Sequence, residues 1–315
     1  MDVITNAIIY QPAAATPVGA SRALGTLSAE GQAFVNAREP IAQVFRPAAG
    51  GDPLLFVVNH FKSKGSAGPW PGDTDQGDGQ GAGNVSRTKQ AEALRDWIPT
   101  IQGDVASVVL AGDFNSYGQE DPLVVLFEAG YVDVEQHFDI DTSSYLFSGL
   151  VGSLDHVLLN GPAVDRARGA DIWNINSGES VALEYSRYNY HGTLFHAPDA
   201  YRSSDHDPVI VGLTARASQT AISLPSSVRA AGDTDPVPVN IKVTSSAGKV
   251  RTGTVEILVD GEVVATAPVT GGGSAHVDLV LADLAPGTHE ITARYTGTDS
   301  VGASTSEVAV FTVTG

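Results

Sequence analysis

The amino-acid sequence predicts an α+β domain over residues 1–217, followed by an all-β sandwich over residues 218–315. Three observations predict this. The front carries continuous apolar runs, Leu54–Asn59 and Ala106–Ala111, of the kind that strands covered on both faces require, with a helical pattern between them. From Ala221 onward the pattern changes to short alternating segments divided by turn residues, the signature of a β-sandwich. A chain of 315 residues with 42% hydrophobic residues is long and apolar enough to build two packed cores.

In chain order, Leu54-Leu55-Phe56-Val57-Val58-Asn59 is the first strong strand. The glycine-rich stretch from Gly65 to Gly83 reads as a long flexible loop on the substrate side. Its Asp73, Asp75 and Asp78 fail the EF-hand template, because Gly77 occupies the fifth position, Asp78 the sixth where glycine is needed, and Asn84 replaces the closing glutamate. A helix follows, with Ser86 as its cap and Leu94, Trp97, Ile98 and Ile101 at helical spacing. Ala106–Ala111 is the next strand. Asp121 caps a second helix, Pro122 stands in its first turn and Gly130 stops it. Strands are then predicted at Asp155–Leu159 and Val209–Val211. In the tail they fall at Val237–Val243, Thr254–Val259, His276–Leu281, His289–Tyr295 and Val308–Val313, and Asp260-Gly261 is a tight hairpin turn.

Charge and composition exclude several classes. With 36 acidic against 18 basic residues the formal net charge is −18, a field that repels polyanions at low salt. This counts against a binder that grips nucleic acid through a basic surface, and less against a hydrolase that meets phosphate through divalent cations. The absence of cysteine excludes disulfides and thiolate metal sites. There is no run of 18 apolar residues to span a membrane, and Met1–Thr5 lacks the basic and apolar regions of a signal peptide.

Polar clusters recur at the strand ends. Asn59-His60-Phe61-Lys62-Ser63 closes one strand, Gly112-Asp113-Phe114-Asn115 closes the next, Asp155 opens its own, and Ser204-Asp205-His206-Asp207-Pro208 precedes Val209. Side chains at strand ends can converge on one rim of a sheet, so these groups are expected to share a cleft. Asp205-His206 is the strongest of them, since ionisable neighbours at the mouth of a buried strand are costly unless they work on a metal or a proton. Asp113 and Asn115 by themselves are equally good turn chemistry. His156, His191 and His196 have no evident partner and are read as structural.

These motifs, extended to Asn59–Gly65 and Gly152–Val157 and taken in order, resemble the endonuclease/exonuclease/phosphatase superfamily, the DNase I-like metal-dependent phosphodiesterases. The likeness covers roughly residues 1–215 and is greatest to large secreted bacterial nucleases. It implies a four-layered αββα sandwich with two mixed sheets face to face. It also implies that His206 is the general base and Asp155 its orienting carboxylate. Asp205 would bind a divalent cation, Mg²⁺ first with Mn²⁺ or Ca²⁺ as alternatives. Asp113 and Asn115 would position the attacking water and a phosphate oxygen, and His60 would contact the scissile phosphate. Asn59 and Arg87 would touch substrate. The tail, including Tyr295-Thr296-Gly297-Thr298, resembles bacterial immunoglobulin-like domains, which implies a spacer or a module binding a cell surface or polysaccharide.

The family pattern begins with an Asn-bearing strand and a Glu-bearing strand upstream of the segment matched by Ile4–Pro12. The chain is therefore expected to be the C-terminal piece of a longer, secreted or cell-surface nuclease, or to begin at a misassigned start, its metal site weakened and its activity impaired. The expected substrate is DNA or RNA. The alternatives are a catalytically silent binding fragment, or a phosphomonoesterase or phospholipid phosphodiesterase of the same superfamily. The Trp173–Asn176 and Tyr185–Asn189 segments also resemble the secreted subgroup, without an implied role.

Overall fold

The computed structural model describes residues 5–48, 50–147, 149–184 and 195–315; His191 and Tyr185–Asn189 lie outside them. The chain divides into two compact units, one of residues 1–48, 53–164 and 169–212, the other of residues 49–52, 165–168 and 213–315.

In chain order the first unit contains β1 (Ala15–Ala23), β2 (Arg38–Pro47), β3 (Leu54–His60), α1 (Asn84–Gln102), β4 (Ser107–Asp113), α2 (Asp121–Glu128) and β5 (Val132–Asp133). Then come α3 (Val134–His137), β6 (Tyr145–Phe147), β7 (Leu150–Gly152), β8 (Asp155–Leu159), α4 (Gly161–Val164), β9 (Ala167–Ile172) and β10 (Val209–Leu213). Six of the strands form one mixed sheet in the order β1-β2-β3-β4-β8-β5. Only β3 and β4 are parallel neighbours, and the parallel step needs the crossover that α1 supplies. Strands β9 and β10 form a second, two-stranded sheet, and β6 with β7 a separate ladder. The α+β class of the front holds.

The period of two along each strand sorts the sheet's faces. Ala42, Leu55, Val57, Val108, Leu110 and Leu158 are buried in one cluster with Leu94 and Ile98 of α1 and Leu123 and Leu126 of α2. Asn59, Gly112 and His156 share the parity of that helix-covered face, whereas His60, Asp113 and Asp155 have the opposite parity. Just past the strand ends, edge-to-face rings continue the core, Phe34 to Phe61 at 5.8 Å and Phe61 to Phe114 at 5.0 Å between centroids.

Three local expectations are corrected. The first is the cap of α2, which is Glu120, with Asp121 its first helical residue. Helix α1 starts at Asn84 with Gly83 as its cap, and Ser86 lies buried inside the first turn. The capping acceptor comes from a distance: buried Asp73 accepts from the Ser86 N–H at 3.0 Å and from its hydroxyl. The Gly65–Gly83 loop is pinned accordingly. The Gly83 N–H donates to the Asp73 carbonyl, Lys62 Nζ to the Ser63 and Ser66 carbonyls, and Lys64 Nζ to Glu120 and the Gln80 carbonyl.

The second unit continues with β11 (Ser218–Ser223), β12 (Val228–Ala230), β13 (Val237–Ser245), β14 (Gly248–Lys249), β15 (Thr254–Val259), β16 (Glu262–Pro268), β17 (Ser274–Leu279), β18 (Gly287–Tyr295), β19 (Ser304–Thr305) and β20 (Ala309–Thr314). One sheet holds β11, β13, β14 and β17, the other β12, β20, β18, β15, β16 and β19. Alternate residues such as Val239, Ile241, Ile257, Ile291 and Phe311 fill the core. Asp260 and Gly261 both have positive φ, as the hairpin turn requires. Buried Tyr295 donates its hydroxyl to the Thr252 carbonyl at 2.9 Å, tying β18 to the segment that precedes β15.

Candidate active site

Strand register lines up the chemistry. Arg38 of β2 pairs with His60 of β3, His60 with Asp113 of β4, and Asp113 with Asp155 of β8, so four polar residues form one row across the sheet. Residues paired directly across neighbouring strands share a face, which brings segments far apart in sequence within contact. His206 joins the end of the row. Its Nδ1 lies 2.6 Å from Asp155 Oδ2, and that oxygen also accepts from the buried Ser144 hydroxyl at 2.8 Å. Tyr145 bridges to His206 through the backbone and lays its ring 4.6 Å from the imidazole centroid.

The electrostatics follow from this geometry. Burial alone would lower the His206 pKa, but the Asp155 hydrogen bond and the charges of Asp155, Asp113 and Asp205 outweigh it and raise it to about 9. The pair thus stabilises the imidazolium that proton abstraction produces. Burial and then the Asp155 charge push Asp113 up to about 6, against the pull of His206 and the Asn115 N–H. His60 Nε2 stands 2.9 Å from Arg38 Nη1 and 3.2 Å from Asp113 Oδ2. One ring nitrogen can accept from the guanidinium or donate to the carboxylate, so this pair controls where the His60 proton sits.

The structure brings His206, Asp155, Asp113 and His60 together. Asn115, Asn59 and Arg87 are instead engaged within the protein. Asn115 has φ +48° and donates its amide hydrogens to the Phe61 carbonyl and Asp113 Oδ2, so it clamps the turn that presents Asp113 instead of offering a donor to phosphate. Asn59, one residue from His60, falls on the helix-covered face and is buried. Arg87 is fully buried, bonding the Lys62, Gln80 and Ala82 carbonyls beside Glu120, so it organises the pinned loop. Arg38 and Ser144 carried no motif, and only register and folding reveal them.

Asp205 is half-buried next to His206, and no group of three ligating side chains within ion-holding distance includes it among the described residues. Asp205 alone makes no ion cage. The group that does cluster is Asp133, Glu135 and His156. Its geometry argues against a metal, because His156 Nδ1 meets Asp133 at 2.7 Å and Nε2 meets the Ser116 carbonyl at 2.9 Å. Burial lowers the His156 pKa, but Asp133, Glu135 and the Ser116 carbonyl raise it to about 9, leaving a doubly donating imidazolium with no lone pair for an ion. His156, expected to lack a partner, has two.

Buried Asp207, next along the motif, is also structural. It accepts from the Ile175, Asn176 and Ser177 N–H groups, the Ser177 hydroxyl and the Asn174 amide, fixing the Trp173–Asn176 segment. Burial raises its pKa, but these donors pull it down to about 2.

Residues 222–314 match the family model of the bacterial Ig-like domain (group 3). No curated protein matches the sequence. Among solved structures, the chain is similar to an endonuclease/exonuclease/phosphatase family protein from Bacteroides thetaiotaomicron, at 16% identity over 65% of this chain and 65% of that one, with a TM-score of 0.45. It is similar to a mannosyl-6-phosphatase of Bacteroides thetaiotaomicron, at 16% identity over 65% and 69% of the two chains, TM-score 0.43. An AP endonuclease from Archaeoglobus fulgidus is matched at 13% identity over 55% and 64%, TM-score 0.34. The chain thus spans 65% of the length of the first of these structures.

Proposed function

We propose that the front unit hydrolyses phosphodiester bonds of nucleic acid by direct attack of water on phosphorus. The observation that carries this reading is the His206–Asp155 pair. Asp155 holds Nδ1 at 2.6 Å, which sets the ring's orientation; with the pKa raised to about 9, Nε2 takes the proton of the attacking water in the deprotonated ring, whose share grows as pH rises toward that value. Ser144 fixes Asp155 in turn. At the other end of the row, Arg38 and His60 offset charge building on the phosphoryl oxygens, and His60 holds or releases a proton at Nε2. Water displaces the leaving oxygen directly, with no covalent enzyme intermediate. Cation dependence belongs to the proposal: Asp205 supplies one carboxylate, and Mg²⁺ commonly completes its shell with waters and substrate oxygens.

Purified chain should hydrolyse DNA or RNA with added Mg²⁺ or Mn²⁺. His206→Ala and Asp155→Asn should each lower kcat about 100-fold or more. All three tryptophans, Trp70, Trp97 and Trp173, lie in the front unit, so their fluorescence checks that each variant is folded. Undiminished hydrolysis by His206→Ala overturns the site, and preferential hydrolysis of inositol phosphates or sphingomyelin overturns the substrate class.

A further inference from the structure

Beside the catalytic pair the chain exposes an aromatic face whose burial the fold does not require. In the β6–β7 ladder Tyr145 pairs with Gly152 and Phe147 with Leu150, so these residues share one face, while Leu146 and Val151 share the other. The Tyr145 and Phe147 rings lie nearly parallel, 6.1 Å apart with 10° between planes, and Tyr145 in turn contacts His206. Tyr117 covers Gly152: a Cβ there would sit 2.5 Å from Tyr117 Cε1, so glycine is what admits the ring. Phe147 is 46% exposed, Leu150 72% and Tyr117 36%. A run of rings therefore leads out from the imidazole into solvent.

We propose that this face is a stacking platform for an unpaired nucleobase next to the scissile phosphate, which makes single-stranded nucleic acid the preferred substrate. The inference rests on the reading of the site as a nucleic-acid phosphodiesterase and adds its substrate class. Two observations favour a base over other occupants. The Tyr145 and Phe147 planes are nearly parallel and Tyr145 packs against His206 with its ring tilted 39°, so a base lying on Phe147 brings its own phosphate toward the imidazole. The chain also carries a net charge of −18, and Lys62, Lys64 and Arg87 are committed to backbone carbonyls and Glu120, so affinity from phosphate contacts is scarce. Stacking is indifferent to that charge, and every unpaired base has a π-face, whereas duplex bases cover theirs against each other.

The test is equilibrium binding in chelator, read by fluorescence anisotropy. The probes are a short labelled single-stranded oligodeoxynucleotide, the same strand with abasic sites, its duplex, and sphingomyelin–phosphatidylcholine vesicles. Phe147→Ala should weaken binding of the base-bearing strand about 5- to 100-fold and leave the abasic strand unchanged. Phe147→Trp should restore binding and Phe147→Leu should not. Gly152→Ala, which displaces Tyr117, should weaken the same probe with unchanged tryptophan fluorescence. Equal loss for base-bearing and abasic strands, full binding by Phe147→Leu, or vesicle binding that Phe147→Ala abolishes each overturns the platform. If the wild type cleaves nucleic acid but Phe147→Ala binds like it, the platform alone fails. If the wild type cleaves no nucleic acid, the underlying reading fails.

Discussion

His206 and His156 show how one residue type, paired with one carboxylate, does two different things. Asp155 holds His206 by one nitrogen at a half-exposed rim, while Asp133 and the Ser116 carbonyl hold both nitrogens of a fully buried His156. Buried without partners, His156 would be neutral and poorly satisfied; with them it is a cation locked beneath the sheet. Its folded pKa, about 9, lies above the ordinary 6.5. Its contribution to stability is therefore fully present below pH 6.5 and is lost as pH rises through about 9. A shift of this size corresponds to about 3 kcal/mol. Urea unfolding of the front unit, followed by tryptophan fluorescence from pH 6 to 10, should show the midpoint falling across that window. Asp133→Asn should be less stable at pH 6 and should flatten the decline; an unchanged slope in this variant would reject the ion pair as its cause.

At the scale of elements, the site is a consequence of register. A slip of one residue in β4 would turn Asp113 to the helix-covered face and bring Gly112 into the row. Gly112 also guards the register, with φ +139° and no room for a side chain: a Cβ would lie 1.9 Å from the Asn59 carbonyl oxygen on β3. Gly112→Ala should cost about 3 kcal/mol or more, seen as a lower urea midpoint in the tryptophan signal, because backbone must move to admit the methyl. A midpoint within error of wild type would show that β3 and β4 are not held this closely. What was legible in the sequence follows the same logic. His60, Asp113, Asp155 and His206 stand at the ends of apolar runs, where motif and strand are contiguous. Arg38 and Ser144 reach the site only through pairing between distant segments. The alternation of β3 sets Asn59 on the face opposite His60, and the burial of Arg87 is not legible because the loop that encloses it has no periodicity.

For the whole molecule, the net charge of −18 sets how a polyanion arrives. Nucleases that hold DNA through basic surfaces lose affinity as salt rises, because binding releases counterions. For the proposed nucleic-acid substrate the long-range term has the opposite sign, since such a polyanion and the protein repel each other at separations where the row of Arg38 and His60 is screened by its own carboxylates. Screening shortens the reach of that repulsion, from about 30 Å at 0.01 M to about 8 Å at 0.15 M ionic strength. Repulsion slows encounter more than it alters contacts within the cleft, so its relief belongs in kcat/KM and not in kcat. With a fixed concentration of divalent cation, kcat/KM for a single-stranded oligonucleotide should rise several-fold as monovalent salt goes from 10 to 150 mM. It should stay flat for a mononucleotide ester, which carries too little charge to feel the field. A monotonic fall for the oligonucleotide would mean that local cations govern capture, and would move the search for phosphate contacts back to the pinned loop.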